Sequence, residues 1–323
     1  MEKVAIIGPI DSKGKKTIKE GLKGQFEIIE IENEEQYNRL RNAEYAILRT
    51  YKINRDTINK CPNLKFIQRW GVGYDSVDVA AAGERNIKVA VTSGINSVPV
   101  AEYAVMLMLS VYRNIVTIHN NVVNGNWRVN GIIDRSYTLS GKKIGLIGLG
   151  SIGKNVAKIV QAFEAEVYYY DVFRMPEEEE KNLNIKYMEL NDILNESDII
   201  SLHLPLTEST KNLIDKNTIS LMKETAIIIN TSRGGIINEE DLYEALINNK
   251  ILGAGIDVFE NEPISPENKL INLNNVVLSS HNAGNTTDNS INMAKRCVEN
   301  IFKVSRSEEI IKGDLVNEKY LNN

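Results

Sequence analysis

The residues best suited to chemistry in this chain stand at the ends of short apolar runs, and the most telling run is 143–147. It passes directly into Gly148, Gly150 and Gly153, spaced G-x-G-x-x-G around Leu149, Ser151 and Ile152, and a helix-forming stretch follows from Lys154. A strand, that glycine spacing and a helix together make an anion cradle. The first glycine turns the chain, the second lets backbone approach a pyrophosphate, and the third lets the helix pack on the sheet. Free N–H groups at the helix start then point at the anion. The next run, 167–170, ends in Asp171, eighteen residues past Gly153. An acid there accepts hydrogen bonds from ribose hydroxyls and repels a 2′-phosphate. The two features read as an NAD site, with Arg174 near enough in sequence to soften the preference over NADP.

Four later runs also close on polar groups. Residues 199–202 lead to His203, Leu204 and Pro205, and 226–229 lead to Asn230, Thr231, Ser232 and Arg233. Residues 253–256 lead to Asp257 and on to Glu262, and 276–280 lead to His281, Asn282, Ala283 and Gly284. Ligands of doubly wound sheets sit outside the carboxyl ends of the strands. Gly148, Asp171, His203, Arg233, Asp257, Glu262 and His281 are therefore expected in one crevice.

These residues need a scaffold, and the alternation of apolar and helix-forming stretches supplies it. Runs at 4–8, 26–31, 45–49, 65–69 and 87–91 read as strands separated by polar helices such as 13–23. That pattern argues for βαβ units and a parallel sheet. The expected fold is α/β, with two doubly wound parallel-sheet domains. A flavodoxin-like substrate domain takes 1–97 and, by return of the chain, 285–323, and a Rossmann NAD-binding domain takes 98–284. In the first domain, Arg49 and Lys52 follow one strand, and Gly71-Val72-Gly73 follows another as a loop whose backbone N–H groups can hold a carboxylate. After the boundary at 92–99 a long helix is expected over 100–123, apolar nearly all round, so more than one face must be covered. The four acids at 177–180 read as a solvated helix start.

The totals narrow the function classes. The 323 residues suffice for two cores. A net charge of −5 without a basic cluster argues against nucleic acid. Cys61 and Cys297 have neither metal-like spacing nor a disulfide framework, which fits a reducing cytoplasm, and no metal site is expected. The N-terminus reads as a strand rather than a signal peptide, and the longest apolar run, 103–112, is too short to span a bilayer.

Taken together, the residues resemble the D-isomer-specific 2-hydroxyacid dehydrogenases, among them phosphoglycerate, glycerate and lactate enzymes. The resemblance rests on Gly71-Val72-Gly73-Tyr74-Asp75, the 148–153 turn, Leu202-His203-Leu204-Pro205-Leu206-Thr207, residues 230–235, residues 255–263 and His281-Asn282-Ala283-Gly284. It implies that Arg233, Glu262 and His281 are catalytic and that backbone at Val72 and Gly73 holds the substrate carboxylate. It implies cofactor contacts from Gly148, Gly150, Ser151, Ile152, Gly153, Asp171, His203, Leu204, Pro205, Thr231, Ser232, Arg233, Asp257, His281, Ala283 and Gly284. It also implies a homodimer through the 100–123 helix. Two departures stand out: Ser279-Ser280 where a proline usually precedes the histidine, and two unexpected residues after Trp127. No regulatory domain is expected after the dehydrogenase portion.

The chemistry can be argued on its own terms. Interconverting a 2-hydroxy acid and a 2-keto acid needs a hydride carrier, a group that moves the hydroxyl proton, an anchor for the carboxylate and a dry site. NAD carries the hydride. Histidine suits the proton. Of three, His119 lies on the apolar helix and reads as structural, His203 reads as bordering the ribose or adenine, and His281 is the expected base. Glu262 should hold the imidazole and favour its charged form. Arg233 offers a planar fork to carboxylate and carbonyl oxygens, and Asp257 is expected at the nicotinamide amide. Arg49 reads equally as a phosphate holder or a surface residue. An alternative is a dinucleotide-sensing, corepressor-like binding protein of the same fold. A formate dehydrogenase is disfavoured, because formate has no hydroxyl proton and those relatives pair the histidine with an amide.

Overall fold

The structure is a computed structural model describing residues 1–321. Asn322 and Asn323, at the end of the expected 285–323 segment, lie outside the described residues. The chain divides into two compact units, Met1–Asn96 with the chain from Asn285 onward, and Ser97–Gly284.

The first unit carries five parallel strands: β1 (Lys3–Ile7), β2 (Glu27–Ile31), β3 (Tyr45–Leu48), β4 (Phe66–Arg69) and β5 (Lys88–Ala90). Their order is β2-β1-β3-β4-β5, the flavodoxin-like arrangement. Side chains alternate between the faces. Ala5, Ile7, Ala46, Leu48 and Ile67 enter one core, while Val4, Ile6, Tyr45, Ile47 and Phe66 enter the other. Burial on both faces is why these strands read as continuous apolar runs. The Thr287–Ser305 helix packs on the Ser12–Leu22 helix and on β4, burying Met293, Ala294, Cys297 and Ile301. Asp314 then anchors the chain end to β5: its backbone carbonyl accepts from the Val91 amide, and its carboxylate accepts from the Ser93 amide, Arg296 and Asn300.

The second unit is a seven-stranded parallel sheet of β6 (Lys143–Ile147), β7 (Glu166–Tyr170), β8 (Lys186–Tyr187), β9 (Ile199–Leu202), β10 (Ile227–Asn230), β11 (Gly253–Ile256) and β12 (Val276–Leu278). The order β12-β11-β10-β9-β6-β7-β8 reverses direction between β9 and β6. Such a reversal opens a crevice at the carboxyl ends, where dinucleotides bind. Both units thus have the parallel, doubly wound architecture expected of them.

The single helix expected over 100–123 is two helices, Ser97–Tyr112 and Ile115–Val123. The break is Asn114, which adopts the left-handed conformation at φ 49°, a region asparagine tolerates better than most residues. Its side-chain amide donates to the Arg135 carbonyl and to Ser136, fixing the corner. Ser97–Tyr112 finds cover within its own chain: Ala101, Ala104, Leu107, Met108 and Val111 pack with residues of β6, β7, β9 and β10. Ile115–Val123 buries no residue at all, and His119, expected to be structural, is exposed there.

Candidate active site

The expected cofactor and catalytic residues lie in the second unit, past the ends of its strands. Gly148 leaves β6 at φ 96°, and a Cβ there would meet the His203 carbonyl oxygen at 2.5 Å, so only glycine lets the two turns touch. Gly150 is the N-cap of the Ser151–Gln161 helix and gives it no side-chain hydrogen bond. A Cβ on Gly150 would meet nothing within 4 Å. No side-chain cap takes up the first N–H groups of this eleven-residue helix, and N–H groups at a helix start suit a pyrophosphate. Asp171 is fixed beside this turn, one carboxylate oxygen accepting from the Leu149 amide at 2.8 Å and the other from the Phe173 amide at 3.2 Å. Thr231 Oγ1 and His203 Nδ1 are buried without a partner among the described residues. Buried polar atoms are normally satisfied, so two orphans just past the carboxyl ends of β9 and β10 fit a group that brings its own hydrogen bonds. The residues present fit NAD.

His203 shares a hydrogen bond between Nε2 and Ser201 Oγ at 3.0 Å. Burial pushes its imidazole down to about 4, so it is neutral at physiological pH. An unfolded histidine titrates near ~6.5, so below that pH the unfolded chain takes up a proton that the folded chain refuses. Stability is lost as pH falls from about 6.5 towards 4. His203→Asn, which cannot titrate, is expected to lose about 2 kcal/mol less than the wild type between pH 7 and pH 5. Urea unfolding at the two pH values checks this, and parallel losses would contradict it.

Three strand ends bring the imidazole, carboxylate and guanidinium together. Past β12, His281 sits at φ 52° with its amide donating to the Asp257 carbonyl at 2.7 Å. Past β11, Glu262 Oε1 accepts from the Phe259 amide at 3.1 Å, and Oε2 contacts His281 Nδ1 at 2.7 Å. Partial burial works to raise the Glu262 carboxyl, but the His281 contact, the Phe259 amide and Arg233 outweigh it and hold it below the ordinary range. An ionised carboxylate only accepts, so His281 Nδ1 carries the hydrogen and donates. Nε2 is the other ring nitrogen, on the far side of the imidazole from Glu262. Past β10, Asn230 organises the arginine loop. It accepts from the Ser232 amide and hydroxyl, and its own amide donates to the Arg233 carbonyl at 2.9 Å. Gly234 is pressed on the neighbouring loop; a Cβ there would lie 1.8 Å from the Phe259 carbonyl oxygen. Arg233, half-buried, acts electrostatically on Glu262, so the three side chains share one neighbourhood.

Asp257, expected at the nicotinamide amide, is fully buried beneath the histidine loop. It accepts from Ser279 Oγ at 2.6 Å and from the Asn282 and Ala283 amides at 2.8 and 2.9 Å. Ser279 thus ties the loop down although Ser280 stands in place of proline. Leu204, Thr231 and Ser232 follow their strands directly, with Thr231 and Ser232 buried.

Arg49, Val72 and Gly73 belong to the first unit. Arg49 is half-buried; its Nη1 donates to the Pro9 carbonyl and its Nη2 to Asn285 Oδ1. Burial lowers its pKa, against the pull of Asp11. Arg69 braces the 71–75 loop by donating to the carbonyls of Gly73 and Leu48, with Val72 exposed at its tip.

One reading of the acidic run is corrected. Glu177, Glu178 and Glu179 are exposed, but Glu180 is buried. It accepts from Arg174 Nε at 2.9 Å, from Arg174 Nη2 at 3.1 Å and from the Tyr169 hydroxyl at 2.7 Å.

The sheet order and the glycine turn at its reversal define a dinucleotide-binding domain. A family model described as the D-isomer specific 2-hydroxyacid dehydrogenase NAD binding domain matches residues 105–283. Among relatives, a hydroxypyruvate reductase of Thermotoga maritima is 40% identical over 84% of this chain and 88% of its own. A glyoxylate reductase of Korarchaeum cryptofilum is 38% identical over 84% of this chain and 82% of its own. The crystal structure of D-lactate dehydrogenase with NAD+ from Lactobacillus jensenii superposes with a TM-score of 0.81 at 27% identity, covering 97% of this chain and 99% of that one. The chain belongs to the D-isomer-specific 2-hydroxyacid dehydrogenase family. It is an NAD-dependent oxidoreductase acting on CH–OH groups. Nothing in the comparisons supports the corepressor alternative. Among the described residues no helix is long and apolar enough to cross a membrane, and no acidic, histidine or cysteine cluster could hold a metal ion.

Proposed function

We propose that the protein reduces a short, unphosphorylated 2-keto acid, of the glyoxylate or hydroxypyruvate kind, with Arg233, Glu262 and His281 as its catalytic residues. The observation that carries the proposal is the 2.7 Å contact between Glu262 and His281 Nδ1, with Arg233 acting on the same carboxylate. Bound nicotinamide supplies the hydride that adds to C2. His281, held through Nδ1 by Glu262, delivers the proton from Nε2 to the keto oxygen. Glu262 balances the imidazolium before transfer and fixes the ring afterwards. Arg233 pairs with the substrate carboxylate and stabilises negative charge growing on the reacting oxygen. The reverse reaction runs the same steps backwards, with His281 as base.

Two observations favour an unphosphorylated substrate. The two relatives described above carry glyoxylate and hydroxypyruvate reductase names. Both Nη atoms of Arg49, which reads equally as a phosphate holder or a surface residue, already donate within their own unit. Steady-state NADH oxidation with glyoxylate, hydroxypyruvate, pyruvate and phosphohydroxypyruvate tests the reading. Turnover of glyoxylate or hydroxypyruvate above the phosphorylated acid is expected. NADH binding without turnover of any keto acid would instead support the sensing alternative.

The assembly proposed is a homodimer through residues 98–133. Val98, Met106, Ile115, Val116, Val122, Val123, Trp127 and Ile133 are all exposed there, an apolar concentration that monomers rarely leave in water. Light scattering is expected to give twice the chain mass, and Ile115→Glu with Val123→Glu to halve it. A wild-type monomer at micromolar concentration would end this reading.

A further inference from the structure

Asp171 explains why a 2′-phosphate is unwelcome, but a basic residue follows it by three positions. An exposed arginine there is the group most suited to receive that phosphate. The structure shows it engaged elsewhere. Arg174 is half exposed, while Glu180, its partner, has a side chain only one-tenth exposed. The Nε and Nη2 edge of the guanidinium makes a two-point contact with the two Glu180 oxygens, at 2.9 and 3.1 Å. One face lies over the Tyr187 ring, 5.1 Å from its centroid. The contact is tied into the loop that follows Asp171, because the Tyr169 hydroxyl donates to Glu180 Oε1 and accepts from the Met175 amide at 3.1 Å.

We propose that Glu180 is a specificity-determining residue: by holding Arg174 it withholds a nearby cation from a 2′-phosphorylated dinucleotide and so favours the choice of NAD. The inference rests on Asp171 marking the ribose end of the site. Its physical basis is that Arg174 cannot turn to a phosphate without leaving Glu180 as a buried carboxylate that keeps the Tyr169 hydroxyl but has lost its counter-charge, a costly state. The pairing lowers the Glu180 carboxyl and raises the Arg174 guanidinium, each chiefly through the other. Discrimination is then built from two acids: Asp171 repels the phosphate, and Glu180 removes its counter-charge.

The test is equilibrium binding of NADH and NADPH to the full chain without substrate, followed by nicotinamide fluorescence. Arg174→Ala should leave the ratio of the two dissociation constants as in the wild type, because that cation is already engaged. Glu180→Gln, which keeps shape and an acceptor for Tyr169, should lower the NADPH-to-NADH ratio by about tenfold or more, the scale of one charge-assisted hydrogen bond. The double variant should return to the wild-type ratio. If Glu180→Gln does not fold, Glu180→Asp, too short to make the two-point contact, replaces it. A selective loss of NADPH affinity in Arg174→Ala alone, or an unmoved ratio in folded Glu180 variants, overturns the proposal. Asp171→Ala separates the two levels. A narrowed ratio there with unmoved Glu180 variants overturns this inference alone, and an unchanged ratio there overturns the ribose reading and this inference with it.

Discussion

Replacing His281 by alanine is expected to lower kcat for keto-acid reduction by roughly 10²–10⁴, the usual worth of a positioned general acid or base. The geometry argues for that whole range rather than a small effect. His281 is held at both ends: its amide donates to the Asp257 carbonyl and its Nδ1 to Glu262. A ring so fixed presents Nε2 in one direction, and no other histidine can replace it. His203 is half-buried and neutral, bonded to Ser201, and His119 is exposed on the Ile115–Val123 helix. The lost step is proton delivery, so NADH affinity should change little while kcat falls. Glu262→Gln keeps a hydrogen bond to Nδ1 but removes the charge that balances the imidazolium, so a smaller loss with an altered pH profile is expected. Turnover in His281→Ala within a few-fold of the wild type, with an unchanged pH profile, would sink the assignment.

How much of this was legible beforehand depends on what held each residue. The strands were legible because both faces of a parallel sheet are buried, which writes an unbroken apolar run such as 227–229 into the chain. The site followed from them, since polar residues that end such runs have only the sheet's carboxyl edge to occupy. What failed to show was set by single tertiary contacts. Nothing in the apolar pattern of 100–123 announces that Asn114 takes a left-handed turn; its bonds to Arg135 and Ser136 come from more than twenty residues away. Glu180 looked like its three neighbours because its burial depends on Arg174 and Tyr169 meeting it. That Asp257 ends a strand does not reveal that its carboxylate carries the histidine loop through Ser279, Asn282 and Ala283. A strand end predicts where a side chain begins, and its partners decide where it points.

Arg233 supplies the second large effect. Its loop is shaped by Asn230 and by the close approach of Gly234 to Phe259, so the backbone holding the guanidinium is set by groups other than the guanidinium itself. Its Nη1 donates to the adjoining Ser232 carbonyl at 2.7 Å. Arg233→Ala should therefore keep the course of the loop while lowering kcat/KM for the keto acid by about 10²–10³, the scale for losing one donor to developing negative charge. Arg233→Lys makes the sharper comparison. Lysine restores the charge but not the planar two-point fork, so it should recover only part of the loss. A full recovery would mean that charge alone matters and that Arg233 does not orient the carboxylate. An alanine variant with near wild-type kcat/KM would remove Arg233 from the reaction and leave the His281–Glu262 pair without an anchor for its substrate. The arginine also contributes to holding the Glu262 carboxyl down, though less than His281 does. Its removal should thus shift the acid limb of the pH profile upward in the same variant, linking the anchor and the proton-transfer pair in a single measurement.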